Sequence, residues 1–567
     1  MVNRRRPISA PDPPDTVREQ RLAKKYVVDS RSPNSVRGVG RSVSGEGARG
    51  SRLVCRPQTV YTLDSPTPLA PRRFPPPCGL CEMNGDFQAA TRWTPPTCSP
   101  NPGPEPPGPT VKGPTVKGVV SSAWGLGIVL LMGLDPSASA ADAWPQFRGP
   151  QGDGIVADQS PPVAFDRDGR VAWRTEIPGR GWSSPVVADG VVWMTTAVER
   201  IPDEQERIEL LRKTDNEERK FDNLAIAKAI ELKLVALDLR SGSMLRTVEL
   251  AVVEQPDAIH SLNSYASPTP VIDGDRIVCH FGTFGTYCVD RQTHQIVWQR
   301  VLPLQHGVGP GSSPFIEGDL VILIQDGMDR QYVAALDKQT GKTVWETDRP
   351  ELIAPTGDMK KSYCTPIAVT DAAGRRQLIC MGAQWLVSYE PTTGAEHWRL
   401  YHGKGFSVVP RPVHADGVIY FATGFTKPEL WAARIDGSGD VSDSHVLWQV
   451  TRGIPAKPSP LLHEGLIYIV DDNGVATCLD AGDGREVWRE RLGGNFSASP
   501  ILAGGNLYFS NQDGAVFVVA PGRSFRLIAQ NELDDRIMAS PAVIDHGFIF
   551  RTEKSVYRIV RATSDSE

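Results

Sequence analysis

Aromatic, cationic and amide side chains recur three to five positions before a repeated proline, and they are the residues best suited to bind a ligand. Gathered at one opening, such residues would suit a small anionic or carbonyl-bearing ligand, a carbohydrate, or an extended peptide. The alternative is that the rings fill a channel and the cations are ordinary loop charges. The residues are Arg180, Trp182, Asn263, Tyr265, Lys361, Tyr363, Lys457, Asn495, Phe496 and Arg536.

Other reactive residue types lack the spacing that chemistry needs. The ten histidines include no His-x-His or His-x-x-x-His pattern, and no nucleophile with a neighbouring base is visible. The pair Cys78-x-x-Cys81 lacks the second close pair of a zinc site. We therefore predict no catalytic residue and no metal ligand. Four histidines could still converge across repeats: His280, His294, His306 and His414.

Cys279 and Cys288 lie on two successive apolar segments around Gly282-Thr283-Phe284-Gly285. As cross-strand neighbours in an oxidising compartment they could form a disulfide. Two buried free thiols are the equal alternative.

The elements that must position these residues come from a repeated phrase. Each copy begins with a Ser/Thr-Pro opening, which is followed by a strand, an Asp-Gly-type turn and a second strand. It finishes with an Asp-x-x-Thr/Ser-Gly turn and a strand that ends in Trp. Its period of about 40 to 50 residues matches a propeller blade. Eight openings predict an all-β, eight-bladed propeller of four-stranded blades over residues 171–560. The opening prolines are Pro185, Pro268, Pro314, Pro366, Pro412, Pro460, Pro500 and Pro541.

The two ends of the repeat region complement each other. The last phrase supplies three strands, and Val171-Ala172-Trp173-Arg174 reads as an orphan outer strand. Pairing them would close the ring and satisfy both free edges. Residues 199–232, rich in charge with spaced apolar residues, predict a small helical insert within the first blade. Residues 141–170 form a lead-in and 561–567 a tail.

The chain before the propeller has a different character. Residues 1–116 are rich in Pro and Arg, so we expect a disordered extension, which a mis-assigned translation start would explain. Residues 117–140 resemble a signal peptide, with an apolar run ending before Ala138-Ser139-Ala140. We therefore expect export to the periplasm or the exterior, with no stable membrane span after cleavage. The formal net charge of -5, more negative still beyond residue 116, argues against nucleic acid as a partner.

The phrase resembles the PQQ-type (quinoprotein-like) propeller repeat, which is shared by quinone-dependent alcohol dehydrogenases and by BamB-like scaffolds of outer-membrane protein assembly. Its clearest copy runs from Asp472-Asn473-Gly474 to Glu486-Val487-Trp488, and Trp144-Pro145-Gln146-Phe147-Arg148-Gly149-Pro150 resembles the start of secreted proteins of this class. The dehydrogenases typically carry a vicinal Cys-Cys pair and calcium ligands. This sequence has no adjacent cysteines, and the lipid-bearing Cys of BamB is missing too.

These observations favour a monomeric, non-catalytic scaffold that binds envelope proteins or peptide segments. The alternatives are a dehydrogenase with an atypical site that binds PQQ with calcium, and a binder of small anions or carbohydrate.

Overall fold

The computed structural model describes residues 143–165, 170–214, 218–403 and 405–561. Within them, eight antiparallel sheets of four strands follow one another along the chain, which confirms the predicted eight-bladed propeller. The predicted extension 1–116, the signal peptide 117–140 and nearly all of the tail lie outside the described residues. In the part of the chain that is described, no helix has the length and apolarity to cross a membrane.

Each blade has four strands, ordered from the channel outward. From the innermost strand to the outermost, blades 1 to 4 consist of Val186–Ala188, Val191–Arg200, Ala229–Asp238 and Met244–Glu254; Val271–Asp273, Arg276–His280, Thr286–Asp290 and Ile296–Arg300; Phe315–Glu317, Leu320–Asp326, Gln331–Asp337 and Thr343–Asp348; and Ile367–Thr370, Arg376–Met381, Trp385–Tyr389 and Glu396–Tyr401. In the same order, blades 5 to 8 consist of Val413–Ala415, Val418–Ala422, Leu430–Arg434 and Val446–Val450; Leu461–His463, Leu466–Val470, Val475–Asp480 and Glu486–Arg491; Ile501–Ala503, Asn506–Ser510, Ala515–Val519 and Leu527–Glu532; and Ala542–Ile544, Gly547–Arg551, Ser555–Val560 and Val171–Glu176.

Shorter strands and helical elements lie outside the four-stranded pattern of the blades. Ile155–Val156 pairs in parallel with the inner strand of blade 7, and Gly439–Asp440 pairs in parallel with the outer strand of blade 4. Leu224–Ala225 pairs with Ile259–His260 outside the blades. The helical elements are the α-helix Glu204–Arg212 and the 3₁₀ turns Glu218–Asn223, Gly282–Phe284 and Gly357–Lys360.

Burial follows from position in a blade. The second strand of blade 3, Leu320–Asp326, is buried along nearly its whole length because neighbouring blades cover both of its faces. The outer strand of blade 2, Ile296–Arg300, buries only Trp298. First strands of adjacent blades contact one another around the channel. The apolar core is therefore a set of layers between blades.

The ring closes as predicted. Val171–Glu176 pairs antiparallel with Ser555–Val560 and becomes the outer strand of blade 8. Phe165 packs in the core that joins blades 7, 8 and 1, and its N–H donates to Asn531 Oδ1 at 2.6 Å. The first and last segments of the propeller thus share one sheet, which leaves no open seam.

A ring of hydroxyl groups links the blades around the channel. The residue before the opening proline is Ser or Thr in seven blades, and in six of them its hydroxyl accepts the backbone N–H of the same position in the preceding blade at 2.9–3.1 Å. These bonds satisfy donors that the short inner strands would otherwise bury unpaired. The ring residues are Ser184, Thr269, Ser313, Thr365, Arg411, Ser459, Ser499 and Ser540.

The ring also corrects the register of blade 2. Thr269 occupies the ring position there, so the opening proline equivalent to Pro185 is Pro270 and not Pro268. Two Ser/Thr-Pro pairs, at 267–268 and 269–270, compete in this stretch of sequence. Asn263 and Tyr265 therefore stand two positions further from the opening proline, and so from the channel, than the sequence suggested.

A tryptophan and a glycine form the contact between the outer parts of the blades. The indole N–H of the outer-strand Trp donates to a carbonyl of the next blade at 2.9–3.0 Å, for Trp173, Trp298, Trp345, Trp448 and Trp488. Its ring lies against the glycine of the next turn, where an added Cβ on Gly484 would be 2.7 Å from Trp448. The Trp that ends one copy of the repeated phrase and the glycine turn of the next copy therefore form one contact between blades. Trp398 is the exception and donates to Gln377 within its own blade.

The lead-in closes one end of the channel. Trp144 exchanges backbone hydrogen bonds with Val187 of blade 1, while Ile155–Val156 lies on blade 7. Between them, Arg148 donates to the Pro460 carbonyl, and Arg411 donates to the carbonyls of Phe147 and Gly152. Burial lowers the pKa of Arg148 to about 9 and that of Arg411 to about 10. Arg411 thus replaces the ring hydroxyl of blade 5 with a clamp on the lead-in.

The insert is shorter than predicted. Residues 199–200 and 229–232 continue the strands of blade 1, so only 201–228 leave the sheet. The insert holds one α-helix and one 3₁₀ turn, and Leu211, Phe221 and Leu224 form a small core. The helix begins at Asp203, whose carboxylate accepts the Glu206 N–H.

We predict that Gly484→Ala lowers the free energy of unfolding by about 1–3 kcal/mol more than Gly465→Ala. Both glycines have φ near +70°, so both variants share the backbone penalty, but nothing lies within 4 Å of a Cβ at Gly465. Urea unfolding of the two variants isolates the contact with Trp448. Equal losses would contradict this account of the repeat.

We also predict that Arg411→Ser destabilises the protein, although it restores the hydroxyl found in the other blades. The change removes donors to three carbonyls, those of Phe147, Gly152 and Pro366, and should cost at least about 3 kcal/mol. Ser540→Ala, which removes one acceptor of the ring, is the control and should cost about 1–3 kcal/mol. An Arg411→Ser protein as stable as the wild type in urea would show that the lead-in does not depend on this clamp.

Candidate functional site at the channel mouth

The mouth is the face formed by the connections between blades and by the loops between second and third strands. From the opening prolines, the inner strands run away from this face. The lead-in contacts the inner strands themselves. Arg180 and Trp182 of blade 1 meet Arg536 of blade 8 here, with the Arg536 guanidinium 5.9 Å from the Trp182 ring centre. On the other side, the Ser407 N–H donates to the Lys361 carbonyl at 2.7 Å.

The predicted aromatic residues are buried and already have partners. Tyr265 donates to the Asp257 carbonyl at 3.0 Å, and Tyr363 donates to the His306 carbonyl at 2.9 Å. Burial raises the pKa of both phenols. The Trp182 indole donates to the Leu262 carbonyl, and Phe496 packs 6.3 Å from Phe517. These rings hold the mouth loops in place.

The predicted cations are largely neutralised by neighbouring acids. Arg180 pairs with Glu199 at 3.1 Å, Lys361 with Asp358 at 2.9 Å, and Lys457 with Asp472 at 3.3 Å. Burial lowers the pKa of Lys361, opposed by Asp358, and raises that of Glu199, opposed by Arg180. The field over the mouth is therefore less positive than the sequence suggested.

Arg536 lies beside acidic residues. Its guanidinium donates to Gln512 Oε1 at 2.9 Å and lines a cavity of about 430 Å³ between blades 7 and 8. The other charged residues around this cavity are Asp513, Glu532, Asp534 and Asp535. Their negative charge opposes the binding of an anionic ligand at Arg536.

The two predicted asparagines have different roles. Asn263 Nδ2 donates to the carbonyls of Val308 and Pro310, while its Oδ1 accepts from Ser264 and Ser267. These bonds tie together the connections on either side of blade 2. Asn495 is exposed, and its carbonyl accepts the Gln512 N–H.

The insert reaches across part of the mouth. Lys220 forms an ion pair with Asp358, which also holds Lys361 and lies between blades 3 and 4. The insert pairs through Leu224–Ala225 with Ile259–His260 of the next connection. One carboxylate thus joins the insert of blade 1 to the connection between blades 3 and 4.

Sequence reasoning missed a group of exposed apolar side chains on this face. They occupy the insert, the connections between blades and one loop of blade 5, where only polar residues are usual. A search for apolar residues in predicted mouth loops could have found them. They are Ile201, Leu262, Val301, Ile353, Val409 and Phe425.

Ile353 is the most exposed of these side chains, at 84%. Its backbone is nevertheless fixed, because the buried Gln384 side chain accepts the Ile353 N–H at 3.0 Å and donates to its carbonyl at 2.8 Å. The Trp385 indole donates to the Glu351 carbonyl in the same connection. The loop therefore presents an apolar side chain with little backbone entropy left to lose on binding.

Of the two alternatives for Cys279 and Cys288, the structure has the two buried free thiols and not the disulfide. Cys279 lies opposite Tyr287 and Cys288 lies opposite Val278, so the two thiols are one register step apart and point to opposite faces of blade 2. Both are free and buried, in different inter-blade cores. Burial raises the pKa of Cys288 to about 12.

Among the described residues, no three His, Cys, Asp or Glu side chains are grouped to hold a metal ion. Three of the four predicted mouth cations, Arg180, Lys361 and Lys457, are paired with acids. His280 and His306 approach each other, but they are buried with the hydrogen-bond partners Thr286 and Thr283.

Comparison with known proteins places the chain in a family. A family model described as "Outer membrane protein assembly factor BamB" matches residues 150–347 and 429–523, just over half of the chain. The outer membrane protein assembly factor BamB of Alkalilimnicola ehrlichii is 27% identical over 110 residues, 19% of this chain and 27% of that relative. The match thus spans about a quarter of the curated relative.

Two solved structures are similar to this chain at low identity. BamB from Moraxella catarrhalis is 14% identical with a TM-score of 0.41, over 59% of this chain and 94% of that one. Quinohemoprotein alcohol dehydrogenase from Comamonas testosteroni is 11% identical with a TM-score of 0.49, over 75% and 81% of the two chains. By the extent of the family-model match and the eight repeats, this chain belongs to the PQQ-type β-propeller family described by the BamB model.

Proposed function

We propose that this protein is a non-catalytic interaction scaffold of the cell envelope that takes part in outer-membrane protein assembly. The partner is a polypeptide, which binds at the channel mouth of blades 1 to 5. One observation carries the proposal: this face exposes a set of large apolar side chains, with the Ile353 and Phe425 backbones held in place, while three of its cations are paired with acids. Exposed apolar patches of this kind are typical of protein contacts.

The detail of the mouth favours a polypeptide over a small anion or a carbohydrate. Phe425 packs edge-on against Phe406 with ring centres 5.9 Å apart, and the two backbones are bridged. Near Ile353, Trp385 and Tyr401 pack with ring centres 5.0 Å apart. Aromatic residues beside a rigid apolar anchor are the usual centre of a protein interface. The family description and the predicted signal peptide support a periplasmic or extracellular location.

Binding of an unfolded outer-membrane β-barrel polypeptide tests this surface. We predict that Phe425→Asp and Ile353→Asp each weaken binding about tenfold or more, because each change removes an apolar contact of about 1.5 kcal/mol or more. Fluorescence anisotropy of the labelled polypeptide, diluted from urea into the wild type or a variant, measures the affinity.

Leu447→Asp is the matched control. Leu447 lies on the outer strand of the same blade as Phe425 and has a similar exposed fraction, 48% against 57%, but it is away from the mouth. Its replacement should leave the affinity unchanged. A tenfold loss for Leu447→Asp, or none for the mouth variants, would contradict the proposal.

The dehydrogenase alternative has its own test. Calorimetric titration of the protein with PQQ plus calcium should give no saturable heat, because the mouth cations are paired and the described residues supply no group of metal ligands. Micromolar binding that is weakened by Lys361→Ala or Arg536→Ala would replace the scaffold proposal with a quinoprotein.

A further inference from the structure

The connection between blades 2 and 3, residues 301–314 and hereafter the connector, holds together most of the mouth on that side. Its carbonyls accept hydrogen bonds from His260 and Asn263 before blade 2, from Met328 in blade 3 and from Tyr363 before blade 4, at 2.8–3.1 Å. Three separate segments of the mouth therefore depend on the position of one connection.

His306 fixes the connector to blade 2. The Thr283 backbone N–H donates to His306 Nε2 at 2.9 Å. An acceptor nitrogen carries no proton, so the imidazole is neutral with its proton on Nδ1. Nδ1 is buried without a hydrogen-bond partner among the described residues. The ring also lies directly on Gly282, where an added Cβ would be 1.9 Å from Nε2.

The surroundings of His306 oppose a positive charge. Burial lowers the pKa of His306 to about 4, with Lys361 adding to the decrease and Asp329 opposing it. The neighbouring His280 is also neutral, since burial and His306 lower its pKa to about 3. These three groups, His280, Asp329 and Lys361, are the titratable or charged groups that act on His306 from the elements around it.

We propose that the connector is an acid-operated latch on the mouth: protonation of His306 breaks its hydrogen bond with Thr283 and releases the mouth loops of blades 1 to 4. A proton on Nε2 would face the N–H of Thr283, so two donors would meet where a donor and an acceptor meet now. The protonated ring would also be a buried charge beside Lys361, and leaving the pocket is the way to hydrate it.

The direction of the pH dependence follows from the lowered pKa. The closed connector binds fewer protons than the open one, so its stability is fully present above about pH 6.5 and falls as the pH drops toward about 4. Over this window the opening equilibrium should rise about tenfold for each pH unit. Above about pH 7 it should be flat.

Hydrogen exchange of the full protein between pH 7 and pH 4.5, corrected for intrinsic rates, tests the latch. We expect segments containing Thr283, His260 and Met328 to lose protection about tenfold per pH unit below about 6.5. The ring amides of Ser459 and Ser499 on the far side should keep theirs over most of this range. In His306→Gln, whose amide oxygen can accept the Thr283 N–H at any pH, the connector should lose this dependence.

His402→Gln is the matched control. His402 is equally buried between blades 4 and 5, and burial lowers its pKa to about 4, but it donates to the Gly382 carbonyl away from the connector. In this variant the connector should open with the same pH dependence as in the wild type. The latch is overturned if His306→Gln opens with the wild-type pH dependence. If that variant does not fold, the wild type decides: equal loss of protection in the connector and in blades 6 and 7 would also overturn it.

Discussion

A propeller built from one chain has two free sheet edges unless its ends meet. In this protein the segment 143–176 pairs with the outer edge of one blade and with the inner edges of two others. Val171–Glu176 completes blade 8 from outside, while Trp144 and Ile155–Val156 pair with inner strands of blades 1 and 7. The segment is held on the inside by Arg148 and Arg411, two guanidinium groups that burial makes costly to keep charged. Arg411 donates to three backbone carbonyls and Arg148 to two, so the closure on the inside depends on these contacts.

Closure makes the two ends of the channel unequal. The lead-in lies against the inner strands, whereas the mouth is built from long connections whose lengths vary between blades. Blades 1 to 5 carry the insert, the connector and the loops that expose Ile353 and Phe425. Blades 6 to 8 have shorter connections and an acidic cavity. A partner that docks on apolar loops is therefore expected on the first five blades.

The sequence predicts the repeated parts of this protein well, because the turns and the strand alternation are local and recur from blade to blade. The same logic identified Val171–Glu176 as the closing strand. It failed where a local rule had two solutions, as at Pro268 and Pro270. It left the pairing of Cys279 and Cys288 open, because that pairing depends on a single register step between two strands. Periodicity also overextended the insert, since strands of blade 1 continue to Arg200 and from Ala229.

The site was harder to predict than the fold. Residue type and spacing found the mouth, but not that Tyr265 and Tyr363 would be buried or that Lys361 and Lys457 would be paired with acids. Asp358 pairs with Lys361 from the same connection and Asp472 pairs with Lys457 from a different loop, and no repeat fixes either pairing. The exposed Ile353 depends on a Gln384 clamp 31 residues away in sequence, which no local pattern reveals.

The central claim is that the mouth of blades 1 to 5 is the working face. Its most direct test is hydrogen exchange at neutral pH with and without a bound, unfolded outer-membrane β-barrel polypeptide. The account predicts new protection in residues 350–362 and 423–429, with no change in the outer strands Val446–Val450 and Ile296–Arg300. Protection confined to the outer strands, or to the acidic side of blades 7 and 8, would contradict it.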